Sequence, residues 1–91
     1  MKYMVCWKIM PGNHKPAAEA FLKSGAPMPA GLTKVGRWHA PGSSRGWLLV
    51  EGDLKALAEH LTQWSDLLEL EVSPVLEDAD AGEAMATVYA K

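Results

Sequence analysis

The chain has 91 residues, one cysteine, and nine Lys and Arg against eleven Asp and Glu, a net charge of −2. That length is one domain, 1–91, and a lone thiol rules out an intrachain disulfide. A slightly acidic balance is a poor match for nucleic acid or an anionic membrane surface, so neither is expected as a partner.

The first element in chain order runs from Lys2 to Met10. Tyr3, Val5, Trp7 and Ile9 alternate on one parity, while Met4, Cys6 and Met10 make the other parity apolar too. This is a strand with two apolar faces. PGNHKP breaks it and opens a helix, with Asn13 as N-cap and Pro16 in the first turn. Ala17, Ala18, Ala20, Phe21 and Leu22 form the stripe of that helix, and Gly25 ends it. After the GAPMPAG loop, Leu32 to Ala40 and Arg45 to Glu51 read as two strands joined by the hairpin residues PGSS. Asp53 caps a second helix whose stripe is Leu54, Leu57, Ala58, Leu61 and Trp64. Leu67 to Glu77 is the fourth strand, and Pro74 places it at a sheet edge. Asp78 opens a short final helix carrying Met85, Val88 and Tyr89.

The order is β-α-β-β-α-β plus a C-terminal helix, an α+β, ferredoxin-like antiparallel sheet with two helices on one face. Strands one and three are apolar on both sides, so the face away from the helices needs a cover. A domain this small buries only about 60–65% of its unfolded surface. A second copy of the chain would cover that face and enlarge the core, which makes a homodimer the expected partner.

Three stretches, MVCWKI, GRWHAPGSSRGWLLVE and WSDLLELEVSPVLED, give the chain a resemblance to a small bacterial family of unknown function in the dimeric α/β-barrel group. The resemblance implies ferredoxin-like protomers that pair sheet to sheet. It implies no activity, because that group spans cofactor-free monooxygenases, isomerases, haem enzymes and simple ligand binders.

Candidate chemistry concentrates on one strand. Arg37 and His39, two residues apart, share a face, and Thr33 and Val35 continue it in strict alternation. Facing a cavity between two sheets, Arg37 could hold an anionic group and His39 could act as acid or base near neutral pH. Trp7, Trp38 and Trp47 are candidate ligand-stacking surfaces, whereas Trp64 reads as core under the second helix. Cys6, in a buried strand, reads as a small hydrophobe. His14, His39 and His60 are far apart in sequence and lack ligand spacing, so no metal is expected, and His14 and His60 read as solvent-exposed. The Gly-Ser-Ser run 42–44 suits a turn better than an anion nest. No cofactor motif occurs. Of the eleven acidic residues only Glu19 precedes Glu51, which leaves the N-terminal half basic and suited to an anionic ligand.

The N-terminal apolar run is too short for a secretory signal, and no stretch approaches a membrane span. With one free thiol, a cytoplasmic location is expected. The leading functional expectation is a homodimer that binds a small, partly apolar or anionic molecule between its sheets. The alternatives are a cofactor-independent enzyme of the monooxygenase, isomerase or lyase type using His39, and a pure interaction module.

Overall fold

A computed structural model describes residues 1–90. Its elements are β1 (Lys2–Ile9), α1 (His14–Ser24), β2 (Leu32–His39), β3 (Arg45–Gly52), α2 (Leu54–Thr62), β4 (Leu68–Val75) and α3 (Asp78–Tyr89). The four strands form one antiparallel sheet in the order β2-β3-β1-β4. This is the β-α-β-β-α-β arrangement that the hydropathy pattern predicts, with β4 and its Pro74 at an edge. None of the described helices is long and apolar enough to cross a membrane.

Local chemistry explains where the helices start and stop. The Asp53 carboxylate accepts a hydrogen bond from the Ala56 N–H at 3.0 Å, filling one of the donors that a helix start leaves open. Gly25 closes α1 in a left-handed conformation, φ 71°, and its N–H donates to the Phe21 carbonyl. Asn13 precedes α1 as expected but does not cap it through its side chain; its Nδ2 donates instead to the Asp66 carbonyl. That bond ties the start of α1 to the turn before β4.

One sheet face carries the core. Tyr3, Val5, Leu32, Leu48 and Val50 pack beneath Leu57 of α2, with Ala56, Leu61, Met28 and Leu70 around them. Ala17 is the buried residue of α1. Leu48 and Val50 therefore both point to the helices, and the opposite face of β3 belongs to Trp47 and Leu49. That second face also carries Met4 and Cys6 of β1, half-buried, and the exposed Trp38 of β2. Cys6 is thus half-buried on the outer face and not sealed in the core.

The strict alternation expected for β2 fails at one place. Leu32 pairs with Gly52 and Lys34 with Val50, but the next partner of β3, Leu49, lies opposite Gly36. Val35 is the extra residue of a β-bulge. Directly paired residues point the same way, so Arg37 (opposite Leu48) and His39 (opposite Gly46) share the helix side with Leu32. Thr33, expected beside them, does not.

The final helix stands apart. None of the α3 residues is buried, and Met85, Val88 and Tyr89 are exposed. An ion pair between Lys2 and Glu77 holds its base to the sheet. It raises the Lys2 ammonium pKa and holds the Glu77 carboxyl below its usual range.

The stripe of α2 separates into a buried and an exposed end. Leu57 is 1% exposed and Leu54 is 55% exposed. In urea titrations Leu57→Ala should cost about 2–5 kcal/mol, the range for a truncated core leucine, while Leu54→Ala should cost less than about 1 kcal/mol. Equal losses would place the two leucines in the same environment.

Candidate functional site

The helices do not close completely onto the sheet. Between them lies a cavity of about 680 Å³, walled by residues of one chain. Its floor is the helix side of the sheet: Val5, Trp7 and Ile9 of β1, Leu48 of β3, Leu68 and Leu70 of β4. Its roof comes from Ala17, Ala18, Phe21 and Leu22 of α1 and from His60, Leu61 and Trp64 at the end of α2. Arg37, His39 and the hairpin residues Gly42 and Ser43 form one side. Small side chains keep it open, since α1 offers alanines where leucines would fill the layer.

Glycine shapes the floor as well. Gly46 lies directly between Trp7 on β1 and His39 on β2 in the ladder. A Cβ at Gly46 would collide with the Trp7 indole and stand 2.6 Å from the Trp38 carbonyl oxygen. The missing side chain lets the Trp7 indole and the His39 imidazole meet across β3, with ring centroids 5.1 Å apart and nearly perpendicular. Phe21 of α1 approaches His39 from the roof in the same edge-on manner, at 5.3 Å.

Arg37 reaches under the end of α1. Its Nη2 donates to the Ala26 carbonyl at 2.8 Å and its Nη1 to the Gly25 carbonyl at 3.3 Å. The guanidinium carbon sits 5.5 Å from the Phe21 ring centre. Arg37 thus helps fix the loop after α1, where Ala26 has a positive φ of 44°. Partial burial lowers its pKa from the ordinary arginine value.

All three histidines border this one cavity, although they are far apart in sequence. His14, exposed at the mouth, donates from Nε2 to the Gly42 carbonyl at 2.8 Å and joins α1 to the β2–β3 hairpin. The turn itself is closed by Ser43 N–H to Ala40 O and Ala40 N–H to Arg45 O, so residues 42–44 act as a hairpin. His60 is not solvent-exposed as the sequence suggests. It is 5% exposed, because it falls three residues after Leu57 and four before Trp64, on the inward stripe. Burial, and then the nearby Arg37 charge, lower its pKa from 6.5. Among the described residues, no group of His, Cys, Asp and Glu is arranged to hold a metal ion.

The candidate residues from the sequence divide between the two faces. Trp7, Arg37 and His39 come together on the cavity, which lies between sheet and helices and not between two sheets. Trp38 and Trp47 point the other way; Trp38 lies over Gly36, and the Arg45 guanidinium stacks on Trp47 at 5.3 Å. Trp64 is a half-buried wall residue of the cavity rather than sealed core. Sequence reasoning missed Phe21, Gly46 and His60 as site residues. A glycine inside the Arg45–Gly52 strand was the available signal, since such a glycine marks close approach of another group.

A family model described as a domain of unknown function, DUF3303, matches residues 1–89. The chain belongs to the DUF3303 family. No curated protein matches it.

The neutral state of His60 has a measurable consequence. In the unfolded chain the imidazole titrates near 6.5; in the folded chain it gives up its proton at lower pH. Between those two values the unfolded state binds more protons, so stability rises with pH. The contribution is complete above about pH 6.5 and is lost as pH falls below it. Urea midpoints should drop between about pH 7.5 and about pH 5.5, and His60→Leu should reduce that slope. A slope unaltered in the variant would assign the effect to other groups.

Proposed function

We propose that this DUF3303 protein binds a small, largely apolar molecule in the cavity between its sheet and helices, and does so as a cytoplasmic homodimer. The observation that carries this reading is an open cavity of about 680 Å³ inside a 91-residue chain. Ligand sites commonly span roughly 300–1,000 Å³ and combine aromatic walls with a few polar groups. Trp7, Phe21 and Trp64 supply the walls here, and Arg37, His39 and His60 the polar groups. An unfilled space of this size favours binding over a pure interaction module. A second reading, a cofactor-independent enzyme with His39 as its acid–base group, draws on the position of His39 at the cavity wall. Binding is preferred because no carboxylate hydrogen-bonds to His39 among the described residues to orient the ring.

The test of binding uses a neutral aromatic probe, 2-naphthalenemethanol. It should bind once per chain and quench tryptophan emission, and Ala18→Phe, which narrows the cavity, should weaken it by about tenfold or more. No saturable quenching, or affinity indifferent to Ala18→Phe, would remove the cavity from consideration.

The dimer rests on the outer sheet face. Met4, Cys6, Trp47 and Leu49 form a half-buried apolar centre, with the exposed Trp38 beside it. Lys8 and Arg45 stand on the same face as Glu69 and Glu71, cross-paired through the ladder. A patch carrying both signs around an apolar centre is self-complementary under a two-fold axis. Leu48 and Val50 do not test this idea, because both are core. Leu49→Lys does: light scattering should show a dimer for the unaltered chain at micromolar concentration and a monomer for the variant. A monodisperse monomer for the unaltered chain would rule the dimer out.

A further inference from the structure

Inside the cavity, two polar side chains lack what their chemistry requires. Among the described residues Arg37 is the sole Lys or Arg on the wall, and no Asp or Glu lines it. A guanidinium carries five N–H donors. Carbonyls of Gly25 and Ala26 use two of the five, and among the described residues no carboxylate lies in salt-bridge reach of Arg37. Its charge is therefore half-buried and uncompensated, which is costly in an apolar setting.

His60 presents the complementary case. It is 95% buried, yet no hydrogen bond to its ring is formed among the described residues. No side-chain nitrogen or oxygen of the described residues is both sealed and unpartnered, so the His60 ring nitrogens are not sealed, and His60 lines both this cavity and a smaller hollow beside it. The charged and titratable groups around that space are Arg37 on β2, His39 at the end of β2, His14 at the mouth, and Lys23 of α1 across a smaller adjoining hollow. Every one of them is a donor or a cation. An acceptor carrying negative charge is the one kind of group the site lacks.

We infer that Arg37 and His60 form a seat for a single carboxylate, so that the cavity selects an apolar monocarboxylate. This rests on the cavity being a binding site, as proposed above. One guanidinium neutralises one charge. A dianion would leave a second charge unpaired among Trp7, Phe21, Leu61 and Leu70, whereas a carboxylate presents two oxygens to the free N–H groups of Arg37 and to the N–H of His60. The remaining walls accept a ring or chain. The seat also couples binding to protons, because a carboxylate beside His60 stabilises its charged form and opposes the burial that holds it neutral. Binding takes up a proton as the pH approaches the range where the free ring begins to titrate.

Three probes of one shape test this: 2-naphthoate, 2-naphthalenemethanol and 2-naphthylmethylamine, titrated into the full chain by calorimetry. The acid should bind about tenfold or more tightly than the alcohol, with the amine weakest. Its affinity should rise from about pH 7.5 to about pH 5.5, with proton uptake seen as a dependence of heat on buffer. Arg37→Gln should close the gap between acid and alcohol, and Arg37→Lys, which keeps the charge but not the planar fork, should narrow it. His60→Gln should keep the preference at the higher pH and abolish the tightening at the lower. Alcohol and acid of equal affinity, or an acid preference that survives Arg37→Gln, overturns the seat and leaves the binding reading intact. Failure of all three probes overturns both.

Discussion

One extra residue in an edge strand decides which face of this protein carries Arg37 and His39. From Leu32, buried on the helix side, strict alternation would turn Lys34, Gly36 and Trp38 inward and send Arg37 and His39 outward. Val35 breaks the count. Beyond it Arg37 and His39 lie opposite Leu48 and Gly46, on the cavity side, and Trp38 takes the outside. Bulges often re-aim side chains beside functional sites. Here the bulge does so while the anchor of β2 at Leu32 stays in the core.

The cavity depends next on what is missing. Gly46 removes the side chain that would separate Trp7 from His39, and the alanines of α1 leave the roof high. A chain of this length has little apolar area to spare. It nevertheless keeps the charge of Arg37 half-buried, at a desolvation cost, and places an imidazole, His60, where burial penalises its charged form.

Much of the fold is legible in the sequence because it is written in local signals. Gly25 and Asp53 mark helix ends, Pro74 marks an edge strand, and two-sided apolarity marks the central β1 and β3. The site is less legible for particular reasons. A period-2 pattern cannot show a bulge, so it gives the shared face of Arg37 and His39 but wrongly adds Thr33 to it. In β3 both parities are apolar, which conceals that Leu48 and Val50 are core while Trp47 and Leu49 are outside. His60 lay on the inward stripe of α2 all along, but a polar residue between leucines reads as surface until packing shows otherwise. The meeting of His14, His39 and His60 on one cavity is a product of topology, since they sit at the start of α1, the end of β2 and within α2.

The sheet is a single layer with the core and cavity on one side and the outer surface on the other, and neighbouring residues alternate between them: Trp38 between Arg37 and His39, Trp47 between Gly46 and Leu48. Substitutions on one side should therefore accumulate without disturbing the other, as independent sites do. Insertions and deletions behave differently. A one-residue slip in β2 or β3 exchanges the two sides at once. A change of length in β2 would thus move Arg37 and His39 off the cavity side, and the bulge at Val35 is what sets their side.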